Sequence, residues 1–214
     1  GIDNMEIREL KKKDHKKVIQ YAIKGMHFGL YLKDKFLLNA YGKYFWCLEY
    51  TNATQIIAVY EGDKLLGVLL ADMKGEKKPY KSFRKKLYIK FIDFIQKLFF
   101  KGGVMPYEEA NKEMFRAYSE RYTPDGEIRF LAADPDAKVK GVGTMLLNEL
   151  ARRENGKELY LFTDDQCTYQ FYEHRGFEKI GEKDIVLELD NTINLKCLLY
   201  HCLLYTSPSP RDRG

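Results

Sequence analysis

The sequence has little of what marks membrane-spanning, secreted or metal-binding proteins. Its 214 residues include four cysteines, Cys47, Cys167, Cys197 and Cys202, and no two stand at the spacing of a zinc or redox site. No stretch reaches the roughly 18 uncharged apolar residues of a transmembrane helix, and no secretory signal is recognisable. We therefore expect reduced thiols, no metal, no transmembrane segment and a cytoplasmic location.

The excess of one sign of charge over the other is also small. Lysine and arginine number 36 against 31 aspartates and glutamates, a net charge of +5. Nucleic-acid binders carry a focused basic patch, so this modest excess gives no reason to expect a nucleic-acid partner. Hydrophobic residues make up 45% and aromatics 14%, which indicates a globular chain. At this length one domain is expected.

The last residues differ in composition from what precedes them. The segment from Cys202 to Asp212 resembles the in-frame translation of a transposase adapter used to build sequencing libraries. We therefore expect residues 1–201 to form the domain and residues 202–214 to be a disordered tail that is not native. A natural tail rich in serine and proline is the alternative.

Periodicity predicts a mixed α/β chain. The strongest local signal is a β-hairpin, because two apolar runs flank Glu61-Gly62-Asp63. A strand and two helices precede it, the first helix with Asp14 as its N-cap. The predicted elements are strands at 5–10, 55–60, 64–72, 127–133, 158–163, within 177–189 and at 195–200, and helices at 14–26, 36–45, 79–101, 107–122, 141–154 and 168–175.

The two helices between residues 74 and 123 read as an insertion after the hairpin. The first, over 79–101, is amphipathic and basic, with apolar residues at helical spacing among lysines and arginines. Its simplest interpretation is a helical flap packed on the domain with a solvated basic face. The alternative is a site for a membrane surface or another anionic partner.

A glycine-containing loop between a strand and a helix carries the first chemical signal. Lys138-Val139-Lys140-Gly141-Val142-Gly143 is suited to hold phosphate, because free N–H groups at a helix N-terminus attract anions and two lysines add charge. The loop lacks the third glycine of a dinucleotide fingerprint and the Gly-Lys-Ser/Thr of a Walker A loop. A merely structural tight turn is the alternative.

About thirty residues later comes Phe171-Tyr172-Glu173-His174-Arg175-Gly176-Phe177. Together the two motifs resemble the GNAT superfamily of acyl-CoA-dependent N-acetyltransferases. That family has an Arg/Gln-x-x-Gly-x-Gly/Ala loop, matched by Lys138, Gly141 and Gly143, and a later Phe-Tyr-x-x-x-Gly-Phe pattern. The resemblance extends from Met5 to about Tyr200, with lysine replacing the usual first residue of the loop.

The resemblance implies a mixed β-sheet that is splayed at its centre and flanked by helices. The arm of acetyl-CoA, a cosubstrate, would lie between the strand ending near Ala133 and the strand 158–163. Tyr172 would protonate the departing thiolate, and a core tyrosine on a short helix is the alternative. Asp165, where relatives often carry asparagine, would stand near the arm or on the acceptor side. The implied cofactor-binding residues are Leu131, Ala132, Ala133, Lys138, Val139, Lys140, Gly141, Val142, Gly143, Thr144 and Asp165.

An amine nucleophile must lose a proton, so an acidic residue or a water relay is needed. Glu127 is the candidate base, because strict alternation would place it on one face with Arg129, Leu131 and Ala133. A solvated carboxylate at a strand start is the alternative. The expected function is direct acetyl transfer to a primary amine of a small molecule or peptide, by a monomer or homodimer. A non-catalytic acyl-CoA sensor is the rival.

Overall fold

A computed structural model describes residues 4–99 and 104–206. Within these ranges, seven strands and six α-helices follow one another in the order that the periodicity predicts. The strands are β1 (Met5–Arg8), β2 (Gln55–Glu61), β3 (Lys64–Met73), β4 (Gly126–Ala133), β5 (Glu158–Asp164), β6 (Glu178–Glu188) and β7 (Thr192–Leu203). The helices are α1 (His15–Gly25), α2 (Lys35–Asn52), α3 (Phe83–Phe99), α4 (Met105–Ser119), α5 (Val142–Arg153) and α6 (Gln170–His174).

The strands form one sheet in the order β1-β2-β3-β4-β5-β7-β6. The predicted hairpin is confirmed as β2 and β3, which pair antiparallel. Among the described strands, only β4 and β5 pair parallel, and their register is restricted to Gly126 opposite Leu159 and Glu127 opposite Tyr160. Beyond these two pairs the strands separate, which confirms the splayed sheet.

Three apolar clusters cover the two faces of the sheet. On one face, α5 packs through Leu146 and Leu150 over the central strands. On the other, α1 and α2 cover β2 to β4, with Trp46 at the centre. The third cluster lies beside the second on that face, where α4 packs over β5 and β7 through Tyr118. Helices on both faces bury the sheet from two sides.

The start of α1 differs in one detail from the prediction. Asp14 is the N-cap residue, but its side chain makes no capping hydrogen bond to the helix. Its carboxylate instead accepts a hydrogen bond of 2.7 Å from the hydroxyl of Tyr60 on β2. Because Asp14 is 1% exposed, this tertiary partner competes successfully with the local backbone N–H groups.

A β-bulge interrupts the alternation of β4. Leu70 of β3 pairs with Phe130 and Ala71 with Ile128, so Arg129 has no partner residue on β3. Consequently Phe130 packs with the α1/α2 cluster, whereas Leu131 packs with the α5 cluster. The expectation that Glu127 shares a face with Leu131 and Ala133 is therefore wrong, because the extra residue of the bulge reverses the pattern.

The two helices of the predicted insertion pack differently. Helix α4 buries Ala110, Met114 and Tyr118 against the sheet and completes its third cluster. Helix α3 contacts α2 and has no buried residue. In the described ranges, neither these nor the other helices combine the length and the apolarity of a bilayer span.

The packed chain extends past the expected boundary at residue 201. Cys202 and Leu203 continue β7, and Cys202 stands opposite Leu159 of β5. Leu204 is 4% exposed, and its N–H donates to the carbonyl of Lys157 at 2.9 Å. The boundary is therefore too early, because strand pairing and burial hold these residues whatever their origin. Residues 207–214 of the expected tail lie outside the described residues.

Burial of Leu204 generates a stability prediction. We expect Leu204→Ala to lower the free energy of unfolding by about 2–3 kcal/mol, because it removes a buried side chain from the α5 cluster. Tyr205→Ala, at the neighbouring position that is 68% exposed, should change it by less than about 0.5 kcal/mol. Urea unfolding measures both, and equal effects would contradict the packing of Leu204.

Candidate functional site

The separation of β4 and β5 exposes a strand edge at the centre of the sheet. Leu131, Ala132 and Ala133 pair with Leu69, Val68 and Gly67 of β3 on one side. On the side of β5, no register pair joins the two strands after Glu127 and Tyr160 in the ranges that the structure describes. Backbone groups along this edge are available to a bound molecule, as the resemblance implies.

The predicted phosphate loop leads directly from this edge into α5. Gly141 is the N-cap of α5, with φ of 91°, and no side chain caps the helix. The first N–H groups of a helix have no partner within it. Lys138 and Lys140 are exposed beside them, and the first turn carries no acidic residue. The structure therefore joins N–H donors, a helix dipole and two cations at one place.

The two glycines of the loop have different structural roles. A Cβ added at Gly141 would meet no atom within 4 Å, so glycine is needed there for its positive φ. A Cβ at Gly143 would lie 2.5 Å from Cζ of Phe171. The ring of Phe171, in the second motif, thus packs directly on the loop of the first. Glycine at position 143 leaves the space that this ring occupies.

Arg175 belongs to the same place, although the sequence analysis assigned it no role. Its guanidinium lies 3.6 Å from the ring centre of Phe171. Nε donates to Thr144 Oγ1 at 2.9 Å, and Nη1 donates to the carbonyl of Phe171 at 3.1 Å. A fixed positive charge therefore stands at the first turn of α5. The pattern Phe171-x-x-x-Arg175, one helical turn, is the sequence signal for this stacking.

Glu127 lies at the point where β4 and β5 part, on the face covered by α2. The hydroxyl of Tyr160 on β5 donates to its Oε2 at 3.3 Å. Nη1 of Arg129 lies 3.6 Å from the same oxygen. The guanidinium also binds Glu49 of α2, with Nε to Oε2 at 2.7 Å. One arginine is therefore shared between two carboxylates.

Burial dominates the titration of this cluster. Desolvation raises the pKa of Glu127 to about 7, against the lowering effects of Arg129 and of the Tyr160 hydrogen bond. The nearby negative charges of Glu49 and Asp72 contribute to this rise. Burial also raises the pKa of Glu49, despite its partner Arg129. A carboxyl group that titrates near neutral pH is suited to accept a proton from a reactant.

Tyr172 lies on the opposite face of the sheet, with the α5 cluster. Its ring contacts Phe171, Phe177 and Tyr200, at centroid distances of 5.3, 5.4 and 6.4 Å. Burial raises the pKa of its phenol above the ordinary value, and the neighbouring Cys167 adds to the effect. The group therefore keeps its proton at neutral pH.

The end of β5 carries an aspartate pair with separate partners. Asp164 is buried and accepts a hydrogen bond of 2.9 Å from the hydroxyl of Tyr107 on α4. Asp165 is exposed and accepts one of 3.1 Å from the backbone N–H of Lys196 on β7. Burial and Asp164 raise the pKa of Cys167 to about 12, so this side chain is a neutral thiol at physiological pH.

The described residues contain no group of His, Cys, Asp or Glu side chains arranged to hold a metal ion. Of the predicted site residues, Lys138 to Thr144 lie in the segment that leads from the end of β4 into the first turn of α5. The structure places the two candidate catalytic residues, Glu127 and Tyr172, on opposite faces of the sheet. The point where β4 and β5 part lies between these two faces.

Comparison with known proteins identifies this arrangement. Residues 107–179 match the family model described as an acetyltransferase (GNAT) domain. No curated protein matches this chain in sequence.

Solved structures are similar over nearly their whole length. One is a histone acetyltransferase HPA2 and related acetyltransferase from Corynebacterium glutamicum, with a TM-score of 0.55, 16% identity and coverage of 96% of this chain and 99% of that one. A polyamine N-acetyltransferase from Drosophila melanogaster has a TM-score of 0.55, 12% identity and coverage of 94% and 100%. A putative acetyltransferase from Salmonella typhimurium, solved with its cofactor acetyl-CoA, has a TM-score of 0.50 and 13% identity, with coverage of 97% of this chain and 98% of that one.

The open seven-stranded sheet of this chain and its flanking helices align with these structures over nearly the whole chain, and the family model spans both motifs on which the resemblance rests. The chain therefore has the GNAT fold, and its resemblance to the GNAT acetyltransferases is confirmed by the family model over residues 107–179.

Proposed function

We propose that this protein is an acetyl-CoA-dependent N-acetyltransferase acting on a primary amine. The observation that carries the proposal is the parting of β4 and β5 directly after Glu127, beside the uncapped N-terminus of α5. This geometry offers an open strand edge, an anion site and a carboxyl group that titrates near neutrality within one region.

The residues present fit acetyl-CoA. Backbone groups of Leu131 to Ala133 would pair with its amide-containing arm, and the N–H groups of residues 139–144 would bind its pyrophosphate. Lys138, Lys140 and Arg175 surround this loop with positive charge. The cosubstrate supplies an activated acetyl thioester, and the chain's residues orient it and move protons. Asp165 is held by β7, which favours a structural role over direct contact with the arm.

Glu127 would accept the proton of the attacking amine. The pKa of Glu127 is about 7, so its carboxylate form predominates at pH values above this. A free amine has a pKa of about 10 and is mostly protonated at neutral pH. Transfer to Glu127 therefore depends on both groups and favours pH values above neutrality. The carboxylates Glu49 and Asp72 near it make this end of the gap suitable for a cationic acceptor.

Tyr172 would donate a proton to the departing thiolate from the other face. Its raised pKa keeps the phenol protonated until charge develops on sulfur. Cys167 is a poor candidate for a covalent acetyl carrier, because a thiol with a pKa of about 12 is scarcely ionised at neutral pH. The acetyl group would therefore pass directly from bound acetyl-CoA to the bound amine.

Calorimetric titration with acetyl-CoA, followed by CoA release with a panel of amines, tests the proposal. Binding with amine-dependent release above the hydrolysis background supports an N-acetyltransferase. Binding without release with any amine would favour the acyl-CoA sensor instead.

The anion loop generates a prediction with a matched control. We expect Gly141→Val to abolish the stabilisation by acetyl-CoA, about 2.7 kcal/mol at a hundred times Kd, because valine disfavours the φ of 91° that shapes the loop. Gly156→Val imposes similar strain at φ 86°, between α5 and β5. It should lower stability alone and keep the ligand shift in thermal unfolding. An unchanged ligand shift in Gly141→Val would reject the loop assignment.

The base generates a pH prediction. We expect kcat/KM to rise about tenfold per pH unit below pH 7 and to level off above it, because only ionised Glu127 accepts a proton. Glu127→Gln should lower kcat/KM about 10²-fold or more. Tyr160→Phe should move the rising part of the pH profile to higher pH, because the hydrogen bond that it removes stabilises the carboxylate of Glu127. An unchanged pH profile in Glu127→Gln would assign the base elsewhere.

The acid generates a kinetic prediction. We expect Tyr172→Phe to lower the single-turnover rate about 10²-fold while acetyl-CoA affinity stays nearly unchanged, because the phenol acts only as charge develops in the transition state. The ring, which provides the packing, is retained. Tyr169→Phe, at another partly buried tyrosine of the α5 cluster, is the control and should retain the rate. Equal rates in wild type and Tyr172→Phe would return Tyr172 to a packing role.

A further inference from the structure

The outward face of α3 carries an apolar stripe that no described residue covers. Its members recur at intervals of four, four, three and four residues, which aligns them along one side of the helix within an arc of about 80°. All are at least half exposed. They are Phe83 at 76%, Leu87 at 50%, Phe91 at 58%, Phe94 at 58% and Leu98 at 57%.

Cations alone flank this apolar stripe. Arg84, Lys86, Lys90 and Lys97 are all exposed. The one carboxylate of the helix, Asp93, turns the other way and accepts a hydrogen bond of 2.6 Å from the hydroxyl of Tyr44 on α2. The outward face thus combines five large apolar side chains and four positive charges with no negative one.

The other side of α3 is held firmly by α2, so the stripe is a fixed outer surface of the fold. Tyr88 donates to the carbonyl of Ala40 at 2.7 Å, and Nζ of Lys43 stands 4.5 Å from the centre of the Tyr88 ring. Nearer the N-terminus of α3, Nζ of Lys85 lies 5.1 Å from the centre of the Tyr50 ring. These contacts hold the other side of α3 against α2 and direct its stripe outward.

We propose that α3 docks lengthwise on the surface of an anionic lipid bilayer. Such a surface accepts apolar side chains into its acyl boundary and places anionic headgroups beside the flanking cations. A nucleic acid would pair with the cations but leave the apolar stripe against water and phosphates. A second copy of this chain would bring two sets of cations together with no carboxylate to separate them. The lipid surface is the partner that satisfies both components.

This docking is independent of the proposed acetyltransferase function, because α3 contributes no residue to the site between β4 and β5. Neither component is strong alone, since stable anchoring of a surface helix takes apolar burial and charge together. Binding should therefore be reversible, require anionic lipid and weaken as salt screens the cations.

Co-sedimentation of the full chain with vesicles tests the proposal. We expect binding to vesicles of phosphatidylcholine with phosphatidylserine, much weaker binding to phosphatidylcholine alone, and a decline with salt. The double variant Phe91→Ser/Phe94→Ser keeps the charge and should weaken binding about tenfold or more. Val186→Ser, an exposed apolar position on β6, is the control and should bind as wild type.

Fluorescence locates the contact. The single tryptophan, Trp46, is 2% exposed, so brominated lipids should quench the wild type little. Phe91→Trp should become strongly quenched on anionic vesicles. Circular dichroism with thermal melting verifies that the variants fold. We expect them to fold because the substituted side chains are exposed.

Three results would overturn the proposal. The first is equal binding of the wild type and the double serine variant, or no preference for phosphatidylserine. The second is a wild-type dimer in sedimentation velocity that the serine variant dissociates, together with no vesicle binding, which would assign the stripe to a second copy. The third is binding to duplex DNA that the serine variant leaves intact while vesicles are not bound, which would assign the cations to nucleic acid.

Discussion

Two residue pairs join β4 to β5, and the organisation of the site follows from how short this pairing is. Parallel strands in most sheets stay paired for their length, so that their backbone groups are satisfied. Here pairing stops after Glu127 and Tyr160, and β5 continues its ladder with β7 on its other edge. The sheet remains one body because β7 holds β5, while the centre opens between two strands that are each secured on their far side.

The same junction fixes the electrostatics of the region. Glu127 is the last residue of β4 that pairs with β5, and the next side chain on its face of the sheet is Arg129 at the bulge. The bulge keeps that guanidinium on the face of α2, where it meets Glu49, and turns Leu131 toward α5. Desolvation, together with the excess of negative charge that remains when one arginine is shared by the buried Glu49 and the partly buried Glu127, raises the pKa of Glu127 to about 7.

The two helices of the insertion show how similar sequence patterns lead to different placements. Both α3 and α4 are amphipathic and both follow the hairpin. Helix α4 meets the bare face of β5 and β7 and buries its stripe there, together with Tyr160, the hydrogen-bond partner of Glu127. Among the described elements, helix α3 packs mainly on α2, which is already packed on the sheet, and its polar and aromatic side makes that contact. Its apolar stripe is left outward.

The sequence by itself determined the order of the elements, the hairpin, the loop before α5 and the contact motif around Phe171, because these depend on periodicity, turn residues and spacing within short segments. It also placed Glu127 at the start of a strand. Only the tertiary structure decided which face each β4 residue takes, since a bulge is a property of strand pairing and leaves no local signal around Arg129. The partner of Asp14, the role of Arg175, the burial of Leu204 and the outward stripe of α3 likewise depend on which distant surfaces meet. Burial also decided the titration of Glu127, because desolvation comes from the surrounding fold and cannot be assigned from the identity of neighbouring residues in the chain.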